Sequence, residues 1–264
     1  KDLKKNYVNF YKMYLKIFHK LGLEIIPVKA LSGEIGGDLS HEFHIICDSG
    51  ESQIYLNSTL NEILTNKYDF DFFEKKIFVS TTEYAEKKEI DIENYKKKNS
   101  IELGHIFAFG DKYTKKLNFS INSPNGSVSP FMGSYGIGIS RIPAASIEIN
   151  NDEKGIIWPK QISPFDLIIL NLKPNDSKCI NFSEKLYINL KSLGLDILYD
   201  DRDERVGVKF SNSDLIGVPF QIIVGTNYLE NNQIQIKNRK DGKEINMNSE
   251  EIINRINPIL NNDQ

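Results

Sequence analysis

Cysteine is scarce in this chain: Cys47 and Cys179 are the only two in 264 residues. They lie far apart and suggest no disulfide framework, so a reducing cytosol is the expected compartment. Long apolar runs are missing as well. None approaches the ~18 residues that span a bilayer, and no secretory leader is recognisable at the start. No membrane association is expected. Nor is there an excess of positive charge. A formal net charge of -3 excludes a protein that holds nucleic acid by its total charge, while a local basic patch stays open. Internal repeats and low-complexity tracts are absent.

What is there suits a globular protein: 40% of residues are hydrophobic and 26% charged. The length allows one large domain or two ordinary ones. The chain starts at Lys1 almost directly in a helical pattern, and it is read as a piece of a longer protein. Tyr7, Tyr11, Tyr14, Leu15, Phe18 and Leu21 form a helical stripe ending at Gly22. Phe43, Ile45 and Cys47 then alternate with polar neighbours as in a half-buried strand. Residues 57–100 are rich in lysine and acid and predict a short surface excursion. Strand character returns in "IELGHIFAFG", followed by a hairpin turned at Pro124, Asn125 and Gly126 whose second arm leads into a glycine-rich strand. A helix follows, with Pro143 in its first turn. The segment "DEKGIIWPKQISP" marks a boundary, giving domains 1–158 and 159–264. Beyond it, "DLIILNL", "LDILYDD" and "FQIIVG" alternate with helical stretches, each an apolar run suited to a sheet covered on both faces. A hairpin around "NRKDGKE" and a short helix from Ser249 close the chain.

The stretch "GSYGIGISR" (Gly133–Arg141) concentrates the chemistry. Its glycines precede the helix by several residues, unlike a phosphate-cradling loop. Gly136 and Gly138 share one strand face by alternation, and a face without side chains lets a flat or bulky group lie on the backbone. Arg141, at the strand–helix junction, can reach around such a group and neutralise phosphate. Close packing against a helix, with Arg141 in a surface ion pair, explains the glycines equally well.

This stretch resembles motif 3 of the class II aminoacyl-tRNA synthetases. "GGDLSHEF", "IELGHIFAFGDKYT", "MGSYGIGISR", "GIIWPKQISPFD" and "YDDRDERVGVKFSNSDLIGVPFQIIVG" are together similar to bacterial prolyl-tRNA synthetases of the alpha-proteobacterial form. The resemblance runs from about Tyr7 to about Ile256. It implies an α/β protein: an α+β catalytic part with an antiparallel class II sheet, then an α/β anticodon-binding domain with a mixed sheet. It implies ATP-dependent activation of proline and transfer to tRNA(Pro), by a cytoplasmic homodimer that uses Mg2+.

The resemblance also assigns residues. Arg141 would hold ATP phosphate, Gly136 and Gly138 would floor the ATP site, and Glu102 would be catalytic through Mg2+. The proline pocket would be lined by His41, Glu42, His105, Gly133 and Ser134, the last replacing a cysteine common in relatives. Arg202, Glu204, Arg205 and Lys209 would contact the anticodon loop. On their residues alone, Glu102 also reads as an exposed strand carboxylate and His105 as a satisfied core histidine. Arg202, Arg205 and Lys209 also read as a salt-bridge cluster with Asp200, Asp201, Asp203 and Glu204. The family's motifs 1 and 2 are not found, and the spacing from "SHEF" to "IELGHIF" is too short for a large editing domain. These residues by themselves are therefore expected to be inactive. A non-catalytic tRNA-binding or regulatory paralogue is the alternative.

Overall fold

The aromatic stripe does form a helix. In the computed structural model, which describes residues 2–37, 39–124 and 126–261, helix α1 (Asp2–Lys20) buries Tyr7, Tyr11, Tyr14, Leu15 and Phe18 on one side. It stops at Gly22, whose φ of 75° is left-handed, a conformation that glycine adopts without steric cost. Asn125, at the expected hairpin turn, lies outside the described residues.

Strands β1 (Ile26–Lys29), β2 (Leu39–Ile46) and β3 (Ser52–Leu56) follow, then helices α2 (Leu60–Asn66) and α3 (Phe70–Lys76). Strand β4 (Val79–Thr81) leads into helix α4 (Thr82–Lys87) and strand β5 (Lys96–Gly110). The three short helices are started by side-chain caps: Thr59, Asp69 and Thr81 accept from the amides of Glu62, Phe72 and Tyr84. Helix α5 (Lys112–Lys116), the paired strands β6 (Ile121–Ser123) and β7 (Gly126–Val128), strand β8 (Met132–Ile137) and helix α6 (Arg141–Ile149) complete the first part.

Strand β5 organises the sheet. One edge pairs with β2, from Leu39↔Ala108 to Ile46↔Ser100. The other edge pairs with β3 along residues 96–100 and with β8 along residues 104–110. Since β2, β1, β4 and β3 also pair in that order, these four strands and β5 close into a ring, with β8 added outside it. Ile26, Val28, Ile54, Leu56, Ile63, Phe73, Ile77 and Val79 form a shared core.

That core corrects one expectation. The segment 57–100 is not a surface excursion, because Ile63, Phe73 and Val79 are fully buried. Its helices are too short to show periodicity, and their apolar residues are diluted by charge. The expected hairpin is present as β6–β7, a two-stranded sheet of its own, and its second arm leads into β8, which pairs with β5.

A second compact unit begins after Glu148, ahead of the proline-marked segment. Its first hairpin, β9 (Asn151–Asp152) with β10 (Gly155–Ile156), is tied into it: the Arg239 guanidinium holds Asp152 at 2.6 and 2.8 Å. Strands β11 (Leu167–Asn171), β12 (Ile197–Asp200) and β13 (Phe220–Val224) alternate with helices α7 (Ser177–Ser192), α8 (Val206–Ile216) and α9 (Thr226–Asn231). Strands β14 (Gln233–Asn238) and β15 (Glu244–Asn248) and helix α10 (Ile252–Asn261) follow. The sheet order is β12-β11-β13-β14-β15, with β11 parallel to β12 and β13 and the remaining pairs antiparallel. This is the mixed sheet expected, buried on both faces as its apolar strands require.

The core position of the lysine-rich segment has a measurable consequence. Phe73→Ala should destabilise the chain by about 3–5 kcal/mol in chemical denaturation, the scale for an emptied core aromatic. A loss within about 0.5 kcal/mol, typical of surface positions, would return the segment to the surface.

Candidate active site

Cross-strand register assembles the polar face of the first unit. In the β5–β8 ladder His105 pairs with Gly136 and Phe107 with Ser134, and in the β2–β5 ladder Glu42 pairs with His105. Directly paired residues share a face, so Glu42, His105 and Gly136 lie side by side. Glu102 joins them through an irregularity. The β2–β5 register shifts between Phe43 and His44, passing from Gly104 to Glu102 and skipping Leu103. Regular alternation would put residues three apart on opposite faces. The bulge turns Glu102 onto the face of His105.

The contacts follow from that register. Glu102 Oε1 lies 3.5 Å from His105 Nδ1, and Glu42 Oε1 lies 3.6 Å from the same nitrogen. His105 Nε2 is 2.6 Å from Ser40 Oγ, and its ring stacks on Phe107 at 3.8 Å. Glu42 Oε2 is held by His44 Nε2 at 2.7 Å, and His44 Nδ1 by Ser100 Oγ at 2.9 Å. Arg141, the first residue of α6, donates from one guanidinium nitrogen to the Glu102 carbonyl at 3.0 Å and carboxylate at 3.1 Å. The hydrogen bond with His105 and the Arg141 guanidinium hold the Glu102 carboxyl below the usual carboxylate range, against the opposing effect of burial.

A side chain at Gly136 would meet nothing nearer than the His105 carbonyl at 3.9 Å, so the floor there is bare. At Gly138 an added Cβ would crowd Arg141 Cδ at 3.2 Å. An adjoining cleft of about 660 Å³ is lined by Glu42, Glu51, Glu83 and Glu102. Such a face can seat a flat group on backbone, neutralise an anion with Arg141 and offer carboxylate oxygens to a cation. Magnesium is ordinarily held by one or two carboxylates together with substrate phosphates. The Glu102 oxygen not taken by Arg141 fits that role.

Three expected site residues lie elsewhere. His41 points to the other side of β2, only 1% exposed, with Nδ1 2.8 Å from Tyr7 Oη and Nε2 2.8 Å from Glu74 Oε1. It is a satisfied core histidine. Gly133 shares the reverse face with Tyr135, whose ring stacks on Phe10 of α1. Lys209 is fully buried, its ammonium bonded to the Asn171 and Asp200 carbonyls at 2.6 and 3.1 Å, so it presents nothing to a partner. The reason is shared by all three: each falls on the inward side of its element. Glu74, Ser40 and His44 went unnoticed in the sequence. Ser40 and His44 alternate with Glu42 and could have been found, whereas Glu74 has no motif around it.

In the second unit, Arg202, Glu204 and Arg205 are exposed in the turn after β12. Arg202 makes a bidentate pair with Asp200 at 2.9 and 2.8 Å, which accounts for part of the cluster as a salt bridge. Burial raises the Asp200 carboxyl, but Arg202 and Lys209 outweigh it and hold the group below its ordinary value.

Residues 166–258 match the family model described as an anticodon binding domain. Over 243 residues, 90% of this chain, the sequence is 45% identical to the Proline--tRNA ligase of Rickettsia bellii. Over 268 residues it is 41% identical to that of Bartonella tribocorum. The chain is homologous to the proline--tRNA ligases. It spans 56% and 61% of the length of these two relatives. The fold agrees: the prolyl-tRNA synthetase of Cryptosporidium parvum, solved with L-proline and AMP, superposes with a TM-score of 0.71 at 14% identity. It covers 99% of this chain and 45% of its own. The Giardia lamblia prolyl-tRNA synthetase in complex with prolyl-adenylate gives 0.68 at 19% identity, covering 96% of this chain and 44% of its own.

Within this proline--tRNA ligase homologue, Glu74 sets an acid limit on stability. Burial raises its carboxyl, but His41 and then Lys29 outweigh that and leave it below the ordinary 4.5. A depressed carboxylate stabilises the fold above the unfolded value and loses that contribution as pH falls through the folded one. Glu74→Gln should therefore lower Tm most near neutral pH, the gap to wild type narrowing as pH drops below 4.5. A gap that is constant with pH would mean that the charge contributes nothing.

Proposed function

We propose that this protein is a proline--tRNA ligase, forming prolyl-adenylate from proline and ATP and passing the prolyl group to the terminal ribose of tRNA(Pro). The observation that carries this reading is the meeting of Glu42, Glu102, His105 and Arg141 beside the bare backbone of Gly136, in a chain so similar to those ligases. The proline carboxylate attacks the α-phosphorus of ATP and pyrophosphate leaves. Neither step requires a nucleophile from the protein, so catalysis rests on positioning and charge stabilisation.

In this reading Gly136 and Gly138 seat the nucleotide against the strand, and Arg141 exchanges its bond to Glu102 for ATP phosphate. Glu102 would hold Mg2+, which supplies charge neutralisation along the polyphosphate when bound. Glu42 and His105 face the secondary ammonium of proline, with Ser134 alongside on the same face. Arg202, Glu204 and Arg205 are the outward groups offered to the anticodon loop. A cytoplasmic homodimer is part of the same reading. Among the described residues no helix is long and apolar enough to cross a membrane.

In the full-length protein, Arg141→Ala should slow proline-dependent ATP–pyrophosphate exchange by at least ~10²-fold, the scale for losing one transition-state donor. Near-normal exchange would leave Arg141 as a surface ion pair. No exchange even by the wild-type protein, with tRNA binding intact, would instead point to a non-catalytic paralogue. Replacing Arg202 and Arg205 by alanine should weaken tRNA(Pro) binding in a salt-dependent assay while exchange stays nearly unchanged. If the double variant binds as the parent does, recognition uses another surface.

A further inference from the structure

We infer that His44 is a positioning residue for the proline pocket: it fixes the carboxylate of Glu42 so that one free oxygen meets the substrate ammonium. The inference deepens the ligase reading and rests on it. His44 and Ser100 are completely enclosed, and burying an imidazole is costly unless both of its nitrogens are bonded. Both are. Nε2 lies 2.7 Å from Glu42 Oε2, and Nδ1 lies 2.9 Å from Ser100 Oγ. An apolar side chain would fill the same space without that requirement, so packing alone does not account for a histidine there.

The relay has a direction. An ionised carboxylate offers only acceptors, so Nε2 carries the hydrogen toward Glu42. In the neutral ring Nδ1 is then the acceptor, and the Ser100 hydroxyl supplies the proton that it takes. The Ser52 carbonyl, 3.4 Å from Ser100 Oγ, is the weaker claimant on that proton. Register brings the parts within reach. Glu42 and His44 are two apart on β2 and share a face. Ser100 pairs with Ile46 across one edge of β5 and with Ser52 across the other. The support for Glu42 is therefore anchored in three strands. Held at Oε2, the carboxylate presents Oε1 to the cleft in a fixed place. The cost of ordering it is met in folding and not at each binding event.

The test is proline-dependent ATP–pyrophosphate exchange by the full-length protein, read as separate KM values for proline and ATP. Gln and Asn carry their amide nitrogen at different reach, roughly where histidine has Nε2 and Nδ1. His44→Gln keeps a donor for Glu42 and should leave the proline KM close to wild type. His44→Asn keeps only the Ser100 end and should raise the proline KM at least ~10-fold, the scale of one hydrogen bond to a charged group. The ATP KM should stay unchanged. Ser100→Ala, which also covers the case in which His44→Asn does not fold, should raise the proline KM about 3-fold, the scale of a neutral hydrogen bond. A merely structural histidine would make Gln and Asn equivalent, or would move both KM values together. Either result in folded variants overturns the proposal, as does a wild-type proline KM in Ser100→Ala. Histidine NMR of isotopically labelled wild-type protein reads the ring itself, the His44 signal being the one lost in His44→Gln. Hydrogen on Nε2 is expected, and a bare Nε2 would overturn the proposal whatever the kinetics. No exchange by the wild-type protein overturns the ligase reading and the role of His44 with it, so the parent enzyme tells the two failures apart.

Discussion

The polar face of the first unit depends on Leu103. By stepping out of the β2–β5 ladder, this one residue lets Glu102 and His105, three apart in the chain, stand on one side of β5. Without the step, Glu102 would turn toward the side where Phe43 and His41 pack on α1. Arg141 would then lose its acceptor, because its guanidinium reaches the carboxylate and carbonyl of that same glutamate. A bulge costs some ladder hydrogen bonding, and here the loss is offset by the burial of Leu103, which is fully enclosed.

The second unit is organised by a buried charge. Lys209 carries its ammonium inside, between the ends of β11 and β12, and Asp200 lies between that ammonium and Arg202. Desolvating these groups is expensive. The return is definition: two strand ends are bonded to one ammonium, so the turn that carries Arg202, Glu204 and Arg205 leaves the sheet from a fixed point. The same cations that look like a recognition patch in the sequence thus divide into one internal clamp and two outward groups.

Much of this was legible in the sequence, and the parts that were not share a cause. Helix α1 and the apolar strands of the second unit follow from periodicities long enough to read, whereas the mixed order of that sheet came from the resemblance. The placing of Glu102 and Arg141 in one site came from motif resemblance, and their direct pairing, 39 positions apart in the chain, is shown only by the fold. Helices α2 and α3, at seven residues each, complete too few turns to declare a face. The sidedness of β2 was misjudged for His41 because "SHEF" was taken as one site segment, although adjacent strand residues point opposite ways. Lys209 misled for a different reason: a lysine is almost never buried without partners, and its partners are backbone carbonyls that no sequence pattern displays.

The back-to-back placement of His41 and Glu42 has a mechanical consequence. One peptide plane joins a residue clamped in an aromatic nest to a residue that faces the open cleft. A twist of β2 about its axis swings both side chains as the two arms of a lever. Its fulcrum is the antiparallel hydrogen bonding to β1 and β5. Tyr7, Tyr11, Phe70 and Glu74 grip the dry arm, and so they set the angle of the wet one without ever touching what enters the cleft. Substitutions among those interior residues would therefore act on the cleft through the angle of the strand and not through contact.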